Sequence, residues 1–107
     1  MKKYKVFRSF GKIDKDVKQH ELVAVEYGED IDAVTDRLIR AVTADAGALE
    51  KYDNGHWEAA AYAPEPVQNF RKVKRYQYYL TAMLYPTFGE KNDQIEYGVI
   101  EEAGEET

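Results

Sequence analysis

The sequence predicts an α+β domain in which one main helix covers one face of a four-stranded antiparallel sheet, with the element order β-β-α-β-β. Three observations carry this reading. Side chains alternate with a period of two over residues 3–10 and again over residues 20–27. The period lengthens to that of a helix at Ile31, Val34, Leu38 and Val42. Alternation then returns over residues 70–85 and 94–101. A chain of 107 residues is enough for one domain with one core, spanning residues 1–107.

In the first run Tyr4, Val6, Arg8 and Phe10 oppose Lys5, Phe7 and Ser9, and the aromatic and β-branched content suits a pleated surface. Residues 11–19 are polar, so the first two strands are read as a hairpin with a long loop. The second strand carries Glu-Leu-Val-Ala-Val-Glu-Tyr and stops at Gly28. The helix follows, with Asp30 as its N-cap and Asp32 in the first turn, where a carboxylate meets the positive end of the helix dipole. Its end has two readings. Gly47 is a natural C-terminal stop, whereas Leu49 and Tyr52 continue the apolar stripe until Asp53-Asn54-Gly55, so one kinked helix or two short ones would fit.

Residues 56–63 suit either a short helix or an irregular crossing before Pro64 and Pro66, and are read as a connection packed by Trp57. Residues 70–85 form one long strand, with Tyr76, Tyr78, Leu80, Ala82 and Leu84 on one face and Arg75, Gln77, Tyr79, Thr81, Met83 and Tyr85 on the other. A turn containing Gly89 leads to the last strand, in which Ile95, Tyr97 and Val99 alternate with Glu96, Gly98 and Ile100. The expected core joins Val34, Leu38 and Val42 to Tyr76, Tyr78 and Leu80. Residues 103–107 are expected to fray.

Composition narrows the function classes. The chain is 44% hydrophobic, 13% aromatic and 33% charged, which describes a globular domain with a well-solvated surface. It has no cysteine, which excludes disulfides, thiolate metal sites and cysteine nucleophiles and fits a reducing, cytoplasmic setting. No apolar run approaches the roughly 20 residues that span a bilayer, and Met1-Lys2-Lys3-Tyr4-Lys5 leads into a strand rather than an apolar leader core. No membrane partner is expected. The formal net charge of −5 argues against a wholly basic nucleic-acid binder. The charge is segregated: residues 1–18 are net basic, 19–66 net acidic, 67–91 net basic and 92–107 net acidic. Antiparallel strands could set opposite blocks side by side, or the acidic excess could form one face.

Motifs for chemistry are absent from the sequence. His20 and His56 stand alone in their segments, so no metal site is expected. Ser9 is the only serine and sits in a strand without a glycine-flanked elbow, and there is no phosphate-binding glycine loop. The carboxylates fall on polar faces rather than in a cleft where general acid–base catalysis could use them. The chain is read as a non-enzyme without a cofactor.

Two constellations remain. Phe70-Arg71-Lys72-Val73-Lys74-Arg75-Tyr76-Gln77-Tyr78-Tyr79 sets four cations beside three tyrosines. Arg71, Lys72, Lys74 and Arg75 could hold phosphates while Tyr79 stacks a base, although the cations would equally serve to solvate the start of a strand. The second is the acidic start of the helix, where Glu29, Asp30, Asp32 and Asp36 are rigidly mounted. Spaced carboxylates can imitate phosphates and occupy a cationic groove on another protein, although a solvated, dipole-favouring helix face has the same composition.

The ending Ile95-Glu96-Tyr97-Gly98-Val99-Ile100-Glu101-Glu102 follows a tyrosine-rich strand in a small, acidic, cysteine-free domain. In this the chain resembles the small accessory proteins of phages and mobile elements of Gram-positive bacteria, of the anti-CRISPR type. The resemblance implies an inhibitor that binds a CRISPR effector nuclease through an acidic surface, and it assigns no individual site residue. The residues leave two alternatives: a small nucleic-acid-binding accessory protein using the basic tyrosine-rich strand, and a phage structural protein.

Overall fold

The computed structural model describes residues 1–9, 21–67, 76–89 and 91–103. Its elements are β1 (Lys2–Ser9), β2 (Glu21–Gly28), α1 (Ile31–Ala48), β3 (Trp57–Ala61), β4 (Glu65–Pro66), β5 (Tyr78–Pro86) and β6 (Asp93–Ala103). All strand pairs are antiparallel, in the order β2-β1-β6-β5-β3, with β4 also on β5. The four-stranded expectation is therefore corrected: the protein is a six-stranded antiparallel sheet curled into a half-barrel, with one helix. Of the two extra strands, β3 falls in the segment read as a connection, residues 56–63, and the two-residue β4 just beyond it. Trp57, Ala59 and Ala61 face the helix while Glu58 and Ala60 face outward, a period-two pattern that the run of alanines disguised.

Two irregularities help to curl the sheet. Val6 pairs with Ala24 and Phe7 with Leu22, which leaves Val23 as an extra residue in β2. Ala61 pairs with Ala82 and Glu65 with Tyr79, so the stretch between β3 and β4 also holds one residue more than the strand it follows. Such bulges bend a strand and increase its right-handed twist. The curled sheet encloses α1, which packs against β5 and against β2 and β3 near its two edges.

The concave face makes the core. Tyr4, Val6, Leu80, Leu84, Tyr97 and Val99 from the sheet meet Val34, Leu38, Val42 and Ala46 from α1, all fully buried. Each such Val or Leu contributes about 1.5–3 kcal/mol of transfer free energy before the ordering entropy is charged against it. The helix is capped by Asp30, whose Oδ1 accepts a 2.9 Å bond from the Ala33 amide. It runs unbroken through Gly47, whose missing side chain faces Ala59 of β3, and ends where the Leu49 amide donates to the Ala46 carbonyl. The positive φ of 81° at Gly55 makes the turn into β3.

Tyr76 is a second correction. It precedes β5 rather than lying within it, and it covers the opposite, convex face. Its ring occupies the place where a Gly98 side chain would be and lies 6.0 Å from the Phe7 ring. Tyr78 and Leu80 do face the helix.

Candidate functional site

A polar cluster within the core is the most buried arrangement of charge among the described residues. Arg8 closes the helix-facing side of β1 and is 8% exposed. Its Nη1 donates to both oxygens of Asp45 on α1, at 2.7 and 2.8 Å, and its Nη2 pairs with Glu21 of β2. The Tyr97 hydroxyl donates to the same Asp45 carboxylate at 2.6 Å. Burial alone would lower the Arg8 pKa, but the hydrogen bonds and charge of Asp45, with the charge of Glu21, outweigh it and raise it. Burial first, then the bond to Asp45, lifts the Tyr97 phenol well above its ordinary value. The guanidinium and phenol therefore stay protonated and hold Asp45 between them. This is a brace between α1 and the sheet. The sequence showed only an arginine in an alternating strand, and Asp45 lies 37 positions from Arg8 and 52 from Tyr97.

The charged blocks of the sequence are partly answered by one another. β1 lies beside β6, and Lys2 meets Glu101 at 3.3 Å and Lys5 meets Glu102 at 2.8 Å. The helix start is different. Glu29, Asp30, Asp32 and Asp36 are all exposed. Among the described residues, Glu29, Asp32 and Asp36 enter no ion pair. The nearby Arg37 turns instead to Glu26, at 3.7 Å, and to the Tyr27 carbonyl, while Arg40 donates to the backbone carbonyl of Asp36. Asp30 has a structural duty as the N-cap, which separates it from the other three.

The basic constellation divides. Arg71, Lys72, Lys74 and Arg75 lie outside the described residues. Tyr79 is on the convex face, and its hydroxyl donates to Glu65 at 2.7 Å, which places a carboxylate where the nucleic-acid reading needs a phosphate. An open groove of about 280 Å³ lies at one end of β3 and β5, lined by Asn54, His56, Trp57, Pro86 and Phe88. The Asn54 amide is engaged at both ends, by the His56 amide and the Lys51 carbonyl, so the groove offers mainly ring surfaces. Among the described residues no three His, Asp or Glu side chains converge as a metal site. No helix among them is long and apolar enough to cross a membrane. The sequence matches no family model, and neither a curated protein nor a solved structure shows significant similarity to it.

Proposed function

We propose that this protein is a non-enzymatic interaction module of the cytoplasm that inhibits a nucleic-acid enzyme by seating the acidic start of α1 in that enzyme's cationic groove. The observation that supports this reading is the contrast in charge compensation. Glu101, Glu102 and Asp45 are matched by Lys2, Lys5 and Arg8, whereas Glu29, Asp32 and Asp36 keep their charge toward solvent. Asp32 and Asp36 stand on a capped helix anchored by Val34 and Leu38, with Glu29 just before its cap, so binding would freeze little of the backbone that carries them. Their field would steer encounter with a basic partner.

A DNA-cleavage assay with a CRISPR effector nuclease tests the reading. The wild-type protein should inhibit cleavage. Asp32→Lys combined with Asp36→Lys should slow association about tenfold or more at roughly 0.1 M salt, with a smaller effect at high salt. Both positions are exposed and neither caps the helix, so the fold should survive. A panel of such nucleases left fully active would refute the function. Equal inhibition by the double variant would refute the surface.

A further inference from the structure

We propose that the convex face of β3, β4 and β5 is a second binding surface, which takes an extended, arginine-bearing segment of a partner protein. The inference does not rest on the acidic helix start, which is a separate surface. It begins from register. Glu58 of β3 lies directly opposite Tyr85 of β5, Ala60 opposite Met83, and Glu65 of β4 opposite Tyr79. The Tyr62 phenol lies close enough to raise the pKa of the Tyr85 phenol, so these two side chains are neighbours beside the Ala60–Met83 pair. Tyr62 is 59% exposed and Tyr85 36%. Tyrosine is a side chain that supplies large contact area at low entropic cost, and paired exposed tyrosines on a sheet are costly to leave in water.

Charge selects the occupant. None of β3, β4, β5 and β6 contains a lysine or arginine. The face carries carboxylates instead, with Glu58 exposed beside Tyr85 and Glu65 bonded to Tyr79. The next cations across the sheet, Lys3 and Lys5, are on β1 with β6 in between, and Lys5 is paired with Glu102. Among the described residues this tyrosine surface is edged by carboxylates, and such a surface complements a guanidinium, which can lay its plane on a ring and turn its fork toward a carboxylate. An ammonium makes the charge contact but stacks less well, and a phosphate is repelled. Addition of the segment as a further strand is opposed by the bulge at residues 62–64 and by Pro64 and Pro66 along this edge. The segment therefore lies across the face rather than beside it.

The probe is a peptide of about eight residues alternating arginine and glycine, roughly 26 Å when extended, with lysine–glycine and glutamate–glycine peptides as controls. The full chain contains only two methionines, Met83 on this face and Met1 at the start of the chain, so their methyl signals report where the peptide lies. The arginine peptide should shift Met83 and spare Met1, and the lysine peptide should bind more weakly. Tyr62→Ala with Tyr85→Ala should weaken binding about tenfold or more, as should Glu58→Lys, which changes an exposed residue and leaves the core intact. Asp32→Lys with Asp36→Lys should leave the Met83 shift in place. The proposal is overturned if Met83 does not move, if the helix variant abolishes the shift, or if lysine and arginine peptides bind alike. It is also overturned if single-stranded DNA competes for the face, or if a concentration-dependent dimer, lost in the tyrosine variant, occupies it.

Discussion

Asp45 is the residue whose loss should be felt most among the polar groups of the core. It accepts two bonds from Arg8 and one from Tyr97, and the side chains of Arg8 and Asp45 retain only 10% and 20% of their exposure. Asp45→Ala strips a buried guanidinium of the carboxylate that accepts two of its bonds, and Glu21, 65% exposed at its side chain, is a weak substitute. Removing one partner of a buried pair costs about 3–5 kcal/mol. For a domain of this size, roughly 4–8 °C per kcal/mol makes that a fall in Tm of about 12 °C or more. Replacing the whole cluster with apolar groups should cost far less, because no charge is then left stranded. Arg8→Met with Asp45→Leu still buries the Tyr97 hydroxyl without its acceptor, at about 1–3 kcal/mol, so Tyr97→Phe completes the exchange. Chemical denaturation of the single, double and triple variants makes the comparison. The triple variant should regain most of what Asp45→Ala loses. A loss below about 1 kcal/mol for Asp45→Ala, or a triple variant no better than the single, would mean that the cluster is solvated and braces nothing.

Gly98→Ala should destabilise the protein by about 1–3 kcal/mol, because the new methyl would sit 2.5 Å from the Tyr76 ring; pairing it with Tyr76→Ala should relieve most of the loss, and an unchanged denaturant midpoint for Gly98→Ala would place the ring elsewhere. Tyr4 and Tyr97 are both fully buried and hold their phenols above the ordinary value, first through burial and then through bonds to Glu101 and Asp45. A folded-state pKa raised above the unfolded one gives stability that is complete below about pH 10 and is lost as the pH climbs through the folded values, so denaturation midpoints should fall steeply on the alkaline side. Tyr97→Phe should flatten part of that fall, and a midpoint independent of pH there would contradict the buried phenols.

Much of the fold was legible because burial on one face imposes period two. Tyr4 and Val6, Leu80 to Leu84, and Ile95 to Val99 alternate with outward residues in the sequence and in the structure. The helix announced itself by Val34, Leu38 and Val42, and by an aspartate that does cap it. What failed has physical causes. Three consecutive alanines carry almost no contrast between faces, so β3 could not be separated from a helix or a crossing. Tyr76 keeps the spacing of its neighbours, but its ring goes to the other face because Gly98 leaves room for it there, a vacancy 22 positions away. Gly47 reads as a stop, yet it lies where the helix passes close to Ala59.

The candidate surfaces were half legible for a related reason: sequence records which charges exist, and strand order decides which of them cancel. The basic start and acidic end of the chain meet because β6 inserts between β1 and β5. That insertion has two effects. It sets Lys2 and Lys5 against Glu101 and Glu102, so two of the three lysines of β1 are absorbed at once. It also keeps those lysines one strand away from Tyr79 and Tyr85, which are left among carboxylates. Had β1 paired with β5 directly, the same residues would have built a basic tyrosine face suited to phosphates. In the observed order the described part of this face carries carboxylates, and Tyr79 spends its hydroxyl on Glu65, while Arg71, Lys72, Lys74 and Arg75 lie outside the described residues. Strand order, not composition, is what turns this face toward a cationic partner.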